Sequence, residues 1–84
     1  MALGTKYPCP CCGYLTLPQE PPGTFLLCRV CFWEDDSVQF ADPNYTGGAN
    51  HPSLNQAREN FRTFGASEEM FIDKGRAPLP SEIP

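Results

Sequence analysis

Two short cysteine pairs dominate this chain. Cys9-x-x-Cys12 and Cys28-x-x-Cys31 are separated by fifteen residues, which falls within the C-x₂-C-x₁₅₋₂₀-C-x₂-C spacing of zinc sites. A C-x-x-C turn aims two sulfurs at one point, and a hairpin of about five residues per arm carries the second turn back beside the first. Four thiolates about 2.3 Å from one ion then complete a tetrahedron. A fifth cysteine, Cys11, makes the count odd, so complete internal disulfide pairing is excluded. All five cysteines lie in the first 31 residues, in two clusters. That is the layout of a metal site, with Cys9, Cys12, Cys28 and Cys31 as ligands and Zn²⁺ as a structural cofactor. Cys11 is the spare: C-x-C fits the turn less well, so a free thiol beside the site is expected, with a redox-sensing thiol as the alternative.

Length explains why such a site is needed. Eighty-four residues make one small domain, and chains this short often need a disulfide, a metal or a partner to stay folded. Ten prolines and seven glycines exclude an all-helical bundle. Two other sulfur chemistries compete with structural zinc. A thioredoxin-type redox pair needs a βαβ context that the sequence lacks. Iron is compatible with four cysteines, and Cys9-Pro10-Cys11-Cys12-Gly13-Tyr14 resembles a rubredoxin turn, although rubredoxins separate their pairs by a longer stretch. A rubredoxin-like iron electron carrier is therefore the alternative to zinc.

The local pattern predicts a small metal-stabilised α+β domain. Gly13–Leu17 and Thr24–Leu27 read as the arms of a zinc-ribbon-like β-hairpin around the proline-rich turn Pro18–Gly23. Ser37–Phe40 is a candidate third strand, and 41–52 a loop. Pro10 and Gly13 shape the first cysteine turn; Phe32 stands where the second turn would have its glycine. Phe32 and Trp33 are expected to shield the metal and pack on a helix. Ser53, with Gln56 three residues on, signals a capped helix start. Leu54, Ala57, Phe61 and Phe64 supply its apolar face, and Gly65 its stop. Arg58, Glu59 and Arg62 are expected to face water. A second, shorter helix begins at Ser67 and ends by Gly75. Residues 1–75 thus form the zinc-ribbon-like domain, and the proline-rich stretch 76–84 is expected to be a flexible tail.

Charge bears on partners. The formal net charge is −4, and the first fifty residues hold two bases against five acids. Four thiolates add four negative charges and a divalent cation returns two, giving −6. Nucleic-acid binders carry a basic surface, so a basic protein is the better partner. Nothing reads as catalytic: a four-cysteine zinc leaves no open coordination position, His51 is a lone loop histidine, Glu34-Asp35-Asp36 reads as a surface acidic turn, and Gly47-Gly48 as a bend. No apolar run approaches a membrane span, and the N-terminus lacks the features of a signal peptide. The expectation is a non-enzymatic, cytoplasmic, monomeric binding module.

Four stretches in order carry a family resemblance. They are Tyr7-Pro8-Cys9-Pro10-Cys11-Cys12-Gly13-Tyr14; Cys28-x-Val30-Cys31-Phe32-Trp33-Glu34-Asp35-Asp36; Gly47-Gly48-Ala49-Asn50; and Ser53-Leu54-x-x-Ala57-Arg58-x-Asn60-Phe61 with Phe64-Gly65-Ala66. The chain from about Tyr7 to Phe71 resembles the bacterial cysteine-rich CPCC family. The resemblance implies a small bacterial cytosolic cysteine-rich protein and no particular activity; a loose association with toxin systems makes an immunity-type protein one version of the interaction reading. Asn60 is expected to hold a loop against the helix.

Overall fold

The computed structural model describes residues 6–84. Its only two-stranded ladder among the described residues pairs β1 (Tyr7–Pro8) antiparallel with β2 (Leu15–Leu17), Tyr7 opposite Leu17 and Pro8 opposite Leu15. These strands flank the first cysteine turn. The two arms expected to pair with each other therefore do not. Thr24–Leu27 pairs instead with the chain that follows the second cysteine turn: Asp35 N donates to Leu26 O and Phe25 N to Asp35 O, both at 2.9 Å, and Leu27 forms an isolated bridge with Glu34. The physical reason is that a C-x-x-C turn itself reverses the chain, so each turn recruits its own flanks. The connection between them contains Pro18, Pro21 and Pro22, which have no N–H to give a ladder, and Gly23 and Phe25 at positive φ, which interrupts extended backbone.

The candidate third strand is a helix. α1 spans Ser37–Ala41, and Asp36 caps its start, accepting from Val38 N at 2.7 Å and Gln39 N at 3.3 Å. The alternation is real but inverted. Val38 and Phe40 are exposed, whereas Gln39 is fully buried. Its amide Nε2 donates to the carbonyls of Tyr45, Asn50 and Pro52, and its Oε1 accepts from the Asn50 backbone and side chain. Asp36 Oδ2 takes Ala49 N at 2.8 Å. Gln39 and Asp36 thus gather the loop 42–52 around themselves. Gly48 has to be glycine for this: a Cβ there would stand 2.6 Å from the Gln39 side chain and 2.7 Å from the Asp36 carboxylate. The acidic turn read as surface is accordingly buried at Asp35 and Asp36.

α2 runs Leu54–Phe64, as expected, between Ser53 and a left-handed Gly65. Ser53 Oγ accepts from Gln56 N at 3.1 Å, but the Gln56 side chain turns to Asn60 Oδ1, so half of the capping box forms. Leu54 and Ala57 are buried in one cluster with Trp33, Val30 and the cysteines; Phe61 packs at its edge, its ring edge-on to Tyr14. Arg58 does not face water alone: its Nε donates to Pro10 O at 2.9 Å, fastening α2 to the first cysteine turn. Asn60 donates to Ser67 O, so the segment it holds follows α2 and is not the glycine loop.

Beyond α2 the short second helix is a single 3₁₀ turn, Glu69–Phe71. The stretch expected to be a flexible tail packs onto the domain. Glu82, in a 3₁₀ turn over Pro80–Glu82, is 1% exposed; it takes two hydrogen bonds from Arg76 (2.7 and 2.9 Å) and one from Leu79 N, with Lys6 at 3.9 Å. Gly75 lies so close to Val30 O that no Cβ would fit. No helix among the described residues is long and apolar enough to cross a membrane.

Candidate metal centre

Each cysteine turn is built by the same pair of backbone hydrogen bonds. In the first, Gly13 N donates to Cys9 O at 2.8 Å and Cys9 N to Tyr14 O at 2.9 Å. In the second, Phe32 N donates to Cys28 O and Cys28 N to Trp33 O, both at 2.9 Å. The two turns are one unit used twice, nineteen residues apart. Both need a left-handed residue directly after the second cysteine. Gly13 supplies it at φ 82° and Phe32 at φ 67°. Phe32 stands where the pattern has glycine and adopts the glycine conformation all the same, at about 1–2 kcal/mol for a residue with a Cβ. Its ring packs against Phe71, the centroids 5.4 Å apart, and is not part of the buried cysteine cluster. Of the two aromatics expected to shield the site, Trp33 does so, buried among the cysteines.

The sulfurs of Cys9, Cys12, Cys28 and Cys31 all lie within 4.8 Å of one another. Those of Cys9 and Cys31 are 3.7 Å apart and those of Cys12 and Cys28 are 3.6 Å apart, so each close pair joins one turn to the other. Four ligands about 2.3 Å from a central ion at tetrahedral angles are about 3.8 Å apart. The four cysteines are close enough to bind a metal ion, and the donor set fits one of zinc size. Cys9, Cys28 and Cys31 are buried, while Cys12 is partly accessible.

Hydrogen bonds to sulfur orient the set. Thr16 Oγ1 donates to Cys28 Sγ at 3.0 Å, Cys11 N to Cys9 Sγ at 3.4 Å and Cys31 N to Cys28 Sγ at 3.5 Å. Sequence reading missed Thr16; its alternation within β2 marked only a strand. The thiols shift one another in opposite directions. Hydrogen bonding pushes up Cys9, first through Cys12; Cys12, first through Cys28; and Cys31, first through Cys11, with burial adding in each case. Cys28 is held well down, because Cys12, then Cys31 and Cys9, donate to its thiolate. A bound cation would favour the thiolate form of all four together. Cys11 is buried beside the site with its sulfur outside the four-sulfur group.

The remaining candidates lie elsewhere. His51 is exposed, as expected of a loop histidine, with Nδ1 3.3 Å from Glu68 Oε2. The Gly47–Asn50 stretch closes over the second turn: the Asn50 side chain accepts from Glu34 N and donates to Glu34 O, filling the edge beside the Leu27–Glu34 bridge as a strand would. The sequence signal for this network is Asp36-x-x-Gln39, a helix-start signature weaker than the one at Ser53.

A comparison with curated proteins found no match. The family model described as cysteine-rich CPCC matches residues 7–82. That span takes in both cysteine turns, the glycine loop, α2 and the Arg76–Glu82 closure, eleven residues past the Phe71 at which the sequence resemblance stops. Nearly the whole folded unit lies inside the match, and the chain belongs to the cysteine-rich CPCC family.

Proposed function

We propose that this chain is a non-catalytic binding module whose fold is held by one structural zinc on Cys9, Cys12, Cys28 and Cys31. The observation that carries the reading is the four-sulfur group itself, with its two cross-turn separations of 3.7 and 3.6 Å. Zinc supplies charge neutralisation for four thiolates and ties together turns that share no ladder. Structural zinc contributes about 10–16 kcal/mol of apparent binding free energy in small domains, comparable to the whole stability of a domain this size. With all four positions taken by sulfur, no site is left for a metal-bound water, which supports a role outside catalysis. The acidic balance, −4 before the thiolates ionise, favours a basic protein partner over nucleic acid. Neutralisation of a toxin is one concrete version, and a cytoplasmic monomer fits the same reading.

Elemental analysis with a chelator melt on the same sample tests the metal. One zinc per colourless chain, with loss of NMR dispersion in EDTA, is the expected result. A reddish protein with visible charge-transfer absorption and reversible reduction establishes the rubredoxin-like iron carrier instead, to whose tetrahedral thiolate geometry the same sulfurs are suited. No stoichiometric metal, with dispersion retained in EDTA, overturns both. A pull-down from the native host tests the partner, and recovery of RNA or DNA in place of a specific protein sinks the interaction reading.

A further inference from the structure

The structure assigns a docking groove for a lysine- or arginine-bearing segment of a basic protein to the cleft between the second cysteine turn, the glycine loop and the Glu69–Phe71 turn. The assignment rests on the binding-module reading above and names the surface it uses. The groove has a volume of about 550 Å³, within the usual range for sites that hold a small ligand or a few side chains. Leu27, Phe32, Met70 and Phe71 give it an apolar lining, and Thr46–Asn50 line it as well. Met70 is 63% exposed and Leu27 39%, so the lining is open to a partner.

Its charges select the occupant. Glu34 and Glu68 line the groove, and no lysine or arginine does among the described residues. The Glu34 carboxylate makes no ion pair or hydrogen bond with any described residue, although both backbone groups of Glu34 are taken by Asn50. Among the described residues the Glu68 carboxylate meets only His51, whose side chain is 88% exposed. A long cationic side chain satisfies both features: its alkyl stem covers apolar surface while its head reaches carboxylates. Phe32 and Phe71, tilted at 47° with centroids 5.4 Å apart, present aromatic faces that attract guanidinium or ammonium groups. An anionic ligand meets two carboxylates here, against the single lining histidine, His51, which lies beside Glu68. Because Asn50 fills the edge beside Glu34, the partner engages through side chains, without adding a strand. The groove also accounts for Phe32: the second turn carries a ring in a left-handed conformation that the first turn gives to glycine, and that ring lines the groove.

The test uses the metal-loaded full chain and a fluorescein-labelled nona-arginine peptide, with nona-lysine and a neutral glycine–serine peptide of equal length alongside. Anisotropy gives affinity, and ¹⁵N–¹H spectra locate the bound peptide. Glu34→Gln/Glu68→Gln should weaken nona-arginine binding about tenfold, as expected when two rim-to-buried carboxylates lose their cation. Glu20→Gln/Glu59→Gln removes the same net charge from exposed positions elsewhere and should stay within about twofold. Shift changes should gather on Thr46–His51 and Met70–Phe71, and Phe32→Gly should weaken binding in a chain that retains its metal. Equal weakening by both double variants shows attraction by net charge alone and overturns the groove. Shifts confined to another face overturn it too, while leaving a basic partner in place. A chain that is folded and zinc-loaded yet binds neither cationic peptide overturns the groove and the basic partner but not the zinc module; a chain without metal overturns the module itself.

Discussion

The two cysteine turns share one hydrogen-bond plan and differ in everything around it. The first is the less enclosed of the two, although its Cys9 is buried. Its Gly13 has nothing within 4 Å of where a Cβ would be, and its Cys12 is the most accessible of the four ligands. The second is embedded: Cys28 and Cys31 are 0% exposed, Ser67 N donates to Cys31 O at 2.8 Å, Gly75 abuts Val30, and Asn50 closes the edge at Glu34. One local motif thus serves two purposes. The outer copy contributes two sulfurs and anchors α2 through Pro10 O and Tyr14; the inner copy organises the glycine loop, the C-terminal segment and the groove.

Ligand substitutions test this contrast most severely. Cys28→Ser removes a fully buried sulfur that accepts from Thr16 and Cys31 N, and should abolish stoichiometric metal and cooperative unfolding. Cys12→Ser should retain measurable zinc and a broadened melt, because a water can reach the partly accessible position. Elemental analysis and near-UV circular dichroism separate the two. Equal damage from both would mean that the turns are equivalent and the contrast is wrong. Gln39→Ala comes next. It leaves the amide and carbonyl groups of the glycine loop without partners in a buried place, and should cost about 2–4 kcal/mol in denaturant melts of the zinc-loaded chain.

A pH effect isolates the C-terminal closure of the inner turn. Hydrogen bonds from Arg76, then Leu79 N, hold the Glu82 carboxyl down from 4.5 to about 2. A carboxyl depressed on folding contributes stability that is present in full above its unfolded value and lost as pH falls through its folded value. Melting temperatures should therefore lose the Glu82 contribution between about pH 4.5 and 2, on top of the loss caused by proton competition for the thiolates. Glu82→Gln should remove the first component only, so the two curves converge toward acid. Parallel curves would show that the C-terminal segment does not close on the inner turn through this carboxyl.

What the sequence disclosed follows from how local each feature is. The clustering of the four cysteines was legible because a C-x-x-C turn is set by its own residues, and α2 because Ser53, the apolar spacing from Leu54 and Gly65 mark it end to end. The pairing of strands was not. Thr24–Leu27 has the composition of a return strand whichever partner it takes, and only the reversal built into each turn decides. Ser37–Phe40 misled because alternation reports which residues differ, not which side is buried; an amide with five partners outweighed two apolar side chains. Glu82 lies six residues from Arg76, in a stretch whose prolines dominate its composition, and its burial depends on a fold that brings Lys6 to it and seats Gly75 against Val30.

The smallest effect is the most specific, since it exchanges the left-handed residues of the two turns. Gly13→Ala adds a methyl group that touches nothing, so its cost is backbone strain alone, about 1–2 kcal/mol. At the matching place, Phe32→Ala loses the contact with Phe71 and keeps the strain, whereas Phe32→Gly loses the same contact and releases it. Phe32→Gly should therefore be more stable than Phe32→Ala by about 1 kcal/mol. That order reverses the ordinary penalty for glycine, which carries the larger unfolded-state entropy. Zinc-loaded chemical denaturation of the three variants reads the sign directly. If Phe32→Ala proves the more stable, the inner turn does not hold its phenylalanine in the glycine conformation, and the equivalence of the two turns fails at the residue that distinguishes them.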